Sequence, residues 1–118
     1  MNEFVFLFRS SVADRQEAHA NPDVVQSSIK KWLAWVIELE TKGLLKDRGQ
    51  PFDSGGCVVK GSKRTITDGP YTDGSEVTLG YLVVRARDMQ DAIELSKGCS
   101  IVDAGGSVEI RPVLNLGF

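Results

Sequence analysis

Five side chains in this chain have the chemistry to act on a small molecule: Asp68, Tyr71, Tyr81, Glu109 and Arg111. A carboxylate can take or give a proton, a phenol can donate or accept a hydrogen bond, and a guanidinium presents a planar fork to an anion. Gathered in one pocket, Asp68 or Glu109 would be the proton-transfer group and Arg111 the anion clamp, with Tyr71 and Tyr81 binding the ligand. Each also has a structural reading. Asp68 in Thr67-Asp68-Gly69-Pro70-Tyr71 can accept backbone N–H bonds within a turn. Gly69 there suits an unusual backbone angle, and Pro70 adds rigidity. A buried Tyr is commonly a core residue with a satisfied hydroxyl. Glu109 and Arg111 alternate with Val108 and Ile110, so they share one strand face, either as a polar site or as a solvated edge pair.

The elements that must position these groups follow from periodicity and punctuation. Glu3 to Arg9 reads as a strand, with Phe4, Phe6 and Phe8 on one face and Val5 and Leu7 on the other. Asn21-Pro22-Asp23 opens a helix, with Val25, Ile29, Trp32, Leu33, Val36 and Leu39 at helical spacing. Lys42 falls in its last turn, and Gly43 is the expected stop. Leu44-Leu45 reads as at most the beginning of a short strand before a loop rich in Asp, Gly and Pro that reaches Gly56. Two short strands, Cys57 to Lys60 and Arg64 to Thr67, flank a Gly61-Ser62 turn. Asp68 to Glu76 reads as loop, with Asp73 and Glu76 solvated, and Thr78 to Arg85 as strand. Asp88 caps a second helix that ends at Lys97-Gly98. Cys99 to Ser107 reads as loop and Val108 to Val113 as a last strand, placed at an edge or terminus by Pro112. This order is the split β-α-β pattern of a ferredoxin-like α+β domain with an inserted β-hairpin, spanning residues 1–118 as one domain.

Two helices cover one face of such a sheet. The strands are nonetheless apolar on both faces: Leu82 and Val84 on one, Leu79, Tyr81 and Val83 on the other. An uncovered second face would be a large apolar patch. The expectation is a homodimer in which two sheets pack face to face, a dimeric α+β barrel-like assembly. The alternative is a monomer whose long loops fold over the sheet.

Composition narrows the function classes. The 118 residues are 42 % hydrophobic and 25 % charged, with a formal net charge of −2. That balance gives no basic surface for nucleic acid, and Lys30-Lys31 and Lys60 to Arg64 read as solvated faces. The apolar run Phe4 to Phe8 is too short for a signal peptide, and no stretch is long enough to span a bilayer, so no membrane partner is expected and the default compartment is the cytoplasm. Cys57 and Cys99 lack a CxxC partner and read as free, semi-buried thiols. His19, the single histidine, supports neither a zinc site nor a Ser-His-Asp triad. Gly55-Gly56 and Gly105-Gly106 lack the context of a phosphate-binding loop, and no cofactor is expected.

The segments Thr67-Asp68-Gly69-Pro70-Tyr71, Leu79-Gly80-Tyr81, Asp88 to Glu94 and Gly106 to Val113 resemble the DGPF family within the YCII-related group, most specifically over residues 60 to 114. The resemblance implies a dimeric ferredoxin-like domain with a pocket between the sheet and its surrounding loops. It also implies two functional expectations. One is a small-molecule, enzyme-like domain with no assignable reaction. The other is a non-catalytic accessory module associated with sigma-factor-like transcriptional regulators. YCII-related enzymes resemble one another in a His near the start of the first helix, paired with an Asp. Counting back from Gly43, that position here holds Trp32, and His19 lies upstream of the helix cap. DGPF relatives often carry an acid near the loop after that helix, a role open here to Glu38 or Glu40.

Overall fold

The computed structural model describes residues 1–11, 13 and 20–117; His19 lies outside the described residues. Strand β1 spans Asn2–Ser11 and helix α1 spans Pro22–Thr41. Strands β2 (Leu45–Pro51), β3 (Cys57–Lys60), β4 (Thr65–Asp68), β5 (Thr72–Asp73) and β6 (Glu76–Ala86) follow. Helices α2 (Met89–Ser96) and α3 (Ser100–Asp103) precede the last strand, β7 (Ser107–Pro112). The main sheet is antiparallel in the order β2-β6-β1-β7, with β5 extending it beside β6. Each helix crossover therefore joins two strands with a third inserted between them, the ferredoxin-like α+β arrangement. Strands β3 and β4 form a separate hairpin.

Local sequence explains the helix ends. Asn21 accepts a side-chain bond from Val24 N at 3.5 Å, and Pro22 fills the first helical position. At the other end Gly43 N donates to Glu40 O at 3.0 Å and Leu44 N to Leu39 O at 2.9 Å. This pair closes the helix with glycine at φ +70°. Asp88 accepts from Asp91 N at 2.8 Å, and the Asp91 carboxylate accepts from Arg87 N at 3.0 Å. Those bonds satisfy backbone donors that the helix leaves unpaired.

The core lies between the helices and one face of the sheet. Phe4, Phe6, Phe8, Leu82 and Val84 from the sheet are buried against Trp35, Val36, Leu39, Ala92 and Cys99. The Trp35 indole N–H donates to Leu95 O at 3.0 Å, which ties α1 to α2. Val5, Leu7, Tyr81 and Val83 stand on the opposite face at intermediate exposure, Val5 across from Val83 and Leu7 across from Tyr81.

Several local readings change. Residues 45–51 form an edge strand, not a loop, because their backbone pairs with β6 through two irregularities. Gly49 is the key to one of them: it takes φ +65°, and a Cβ there would stand 1.7 Å from Tyr81 O. The turn between β3 and β4 is wider than Gly61-Ser62. Arg64 N donates to Gly61 O at 3.0 Å, and Arg64 itself is at φ +54°, so β4 begins at Thr65. The stretch after Cys99 contains α3. Glu76 opens β6 half-buried and accepts from Ser107 Oγ at 3.0 Å, so it is not a solvated loop residue. Neither cysteine is semi-buried: Cys57 is exposed and Cys99 fully buried.

Candidate functional site

Register decides where the sheet opens. Phe8 faces Gly80, but the next residue, Arg9, faces Thr78, so Leu79 is an extra residue in β6. Such a bulge re-aims side chains and breaks the alternation. Leu79 was expected on the open face with Tyr81; it packs instead against the helix-side core. On the other side of β6, β2 is irregular between Asp47 and Gln50. These irregularities flank a half-open cavity of about 200 Å³. Its walls are Phe8, Trp32, Leu79, Gly80, Ile101, Pro51 and Tyr81, with Arg48 and Gln50 adding polar groups.

The aromatic wall is well ordered by its own packing. Phe8 and Trp32 meet edge to face, centroids 4.6 Å apart at 79°, and Trp32 lies 5.4 Å from Trp35 at 63°. These are favourable geometries for rings whose faces are negative and edges positive. Arg48 is not free to act as a lone cation. Its Nε donates to Glu40 at 2.8 Å and its Nη2 lies 2.7 Å from the same carboxylate oxygen.

The five sequence-picked residues divide among three places. Asp68 ends β4, exposed, across from Cys57 in the separate hairpin. The following Gly69 takes φ +88° and donates to Gly56 O at 2.8 Å, a turn conformation that suits glycine. Tyr71 is 78 % exposed. Tyr81 lines the cavity, with its ring 6.2 Å from that of Phe52. Glu109 and Arg111 stand on β7, where Leu7 and Val5 are their neighbours.

Glu109 is the centre of a charged cluster. Arg9 Nη1 donates to Glu109 Oε1 at 2.5 Å, Arg111 Nη1 to Glu109 Oε2 at 3.4 Å, and Arg9 Nε to Thr78 Oγ1 at 3.3 Å. The Arg9 hydrogen bond, with Arg111 adding to it, holds the Glu109 carboxyl below its ordinary value despite some opposing desolvation. Arg9 and Trp32 were not among the sequence-picked site residues. Arg9 was legible only through register, since it is one hundred residues from its partner. Trp32 was legible as an aromatic on the inner face of α1.

Among the described residues no group of three or more His, Cys, Asp or Glu side chains could hold a metal ion, and no helix is long and apolar enough to cross a membrane. The fold is that of a small ferredoxin-like α+β domain, and the aromatic cavity is a recess beside helix α1. The model of the YCII-related domain matches residues 10–116, and the chain belongs to that family. No curated protein matches the chain.

Proposed function

We propose that the protein is a small-molecule-binding domain that works as a homodimer, with the cavity beside Trp32 as its binding site. The cavity carries this reading: it is concave, mostly apolar, and furnished with a few polar groups, as ligand sites are. Counting back from Gly43, Trp32 matches the His that the YCII-related resemblance implies, although it stands in the middle of α1; the recess binds through an aromatic surface. No reaction is assigned to it. Within the family, Asp68-Gly69-Pro70-Tyr71 supports a DGPF-type member. The exposed free thiol of Cys57 suits a reducing, cytoplasmic setting.

The dimer is supported by the face that carries Val5, Leu7, Tyr81 and Val83, opposite all of the described helices. Two such faces packed together would remove apolar area from water and enclose Arg9, Glu109 and Arg111. Asp68 and Tyr71 then act as a turn that shapes the loop beside the sheet. The deciding experiment is a thermal-shift screen against metabolites, followed by the same screen on Trp32→Ala. A ligand raises the melting temperature of the native protein, and loss of that shift in a folded Trp32→Ala places it in the cavity. A screen that raises the melting temperature of both proteins alike refutes the site.

A second reading, an accessory module for a sigma-factor-like regulator, draws support from the β3–β4 hairpin. Val59 and Ile66 face each other there and are 59 % and 69 % exposed. Binding of a neighbouring sigma factor that is lost in Val59→Ser/Ile66→Ser would favour it.

A further inference from the structure

Resting on the pocket reading above, we propose that the cavity selects an uncharged molecule the size of one substituted ring. Its volume of about 200 Å³ sets the size. An apolar cavity of about 150 Å³ takes up benzene, whereas drug-sized ligands need about 300 Å³ or more. One six-membered ring with a small substituent fills the recess; a larger ligand would extend out through its open side.

The walls set the shape. Phe8 and Trp32, at 79° to each other, both line the recess, while Leu79 and Ile101 add aliphatic surface. A flat ring can stack on one and meet the other edge-on.

The rim sets the charge. Among the described residues that line the cavity, Arg48 is the charged one, and both its Nε and its Nη2 are engaged by Glu40. A carboxylate ligand would have to compete with Glu40 for that guanidinium. An ammonium ligand would meet that guanidinium directly. Either charge would give up part of its hydration in the recess without an unengaged partner of opposite sign, which is costly. Gln50 offers a neutral amide that can both donate and accept, suited to a hydroxyl or carbonyl substituent. The anion clamp expected from Arg111 belongs elsewhere, since Arg111 stands with Glu109 on β7.

The test compares phenol, benzoate and benzylamine at pH 7 with the full chain, read by tryptophan fluorescence and chemical-shift perturbation. Phenol is expected to perturb Trp32 and to bind at least about tenfold more tightly than either ion, given the cost of desolvating an unpaired charge. Leu79→Phe, which fills the recess, is expected to weaken phenol binding about tenfold, and Gln50→Ala, a change at an exposed strand position, to weaken it about fivefold. Glu40→Gln unpairs Arg48 and is expected to raise benzoate affinity while leaving phenol unchanged. Benzoate or benzylamine binding as tightly as phenol in the unaltered protein overturns the ligand class but leaves the pocket standing. If none of the three perturbs Trp32, and every ligand found by the thermal screen binds Leu79→Phe as well as the unaltered protein, the pocket reading falls as well.

Discussion

Two thiols of the same chain are set to opposite reactivity chiefly by burial. Cys99 is fully buried in the core, and desolvation pushes its pKa up to about 11. Cys57 lies exposed on the hairpin. A thiol reagent at pH 8 is expected to label one cysteine in the native protein and both after denaturation. Fast labelling of Cys99 without unfolding would contradict the buried placement. Glu109 makes a second prediction. Its carboxyl is held down by the Arg9 hydrogen bond, so the folded state holds its charge more strongly than the unfolded chain does. That contribution is complete above the ordinary carboxyl value of 4.5 and is lost as pH falls through the depressed folded value. Glu109→Gln is expected to flatten the acid side of a melting-temperature profile below about pH 4.5. An unchanged acid limb would mean that the Arg9 contact contributes nothing to folding. Neither residue's environment could be read from its neighbours in the chain. Glu109 was singled out by alternation along β7, but its main partner comes from β1.

The elements differ in how openly their residues announce them. Helix α1 was legible because each end carries its own stop, Asn21-Pro22 and Gly43. Its buried stripe is Trp35, Val36 and Leu39, so the spacing missed Trp35, and Ile29 and Leu33, expected inside, lie half exposed. Strand β2 was not legible. Asp47, Gly49 and Pro51 are loop-forming by type, yet an edge strand tolerates them where bulges and a free side remove the need for regular bonding. Helix α3 is a single short turn whose burial comes from contact with α1 and the sheet rather than from periodicity. The contact between α1 and the end of α2 yields a direct test. A Cβ on Gly98 would lie 2.6 Å from Trp35 Cδ1 and 2.9 Å from its Nε1. Trp35 is buried and tied to Leu95, so it has little room to give way. Gly98→Ala is expected to destabilise the fold by about 1–3 kcal/mol, as overpacking does, measured by denaturant unfolding. For comparison, Phe6→Ala, which empties the centre of the core, is expected to cost about 3–5 kcal/mol.

At the scale of the whole molecule, the backbone measures 44 × 41 × 19 Å. The short dimension matches one sheet and one layer of helices, which are separated by about 10 Å. Such a slab covers one face of its sheet with helices and leaves the other without that cover. Leu7→Lys, placed on that second face between Tyr81 and Glu109, is expected to halve the mass measured by light scattering without unfolding the chain. A single-chain mass for the unaltered protein at micromolar concentration would refute the dimer instead.

The sequence by itself determined what local rules and side-chain period can encode. These are the order of the elements other than β2, β5 and α3, the caps of α1 and α2, the phenylalanine face of β1, and the apolar character of both sheet faces. It also marked the Asp68-Gly69-Pro70-Tyr71 turn that carries the family resemblance. Only the tertiary structure decided which residues meet. The bulge at Leu79 and the irregular pairing of β2 border a cavity beside Trp32, and the register of β1 with β7 brings Arg9 to Glu109. Both depend on pairings between segments far apart in the chain. A shift of one residue there reverses the face of every side chain beyond it, and no local pattern records that shift.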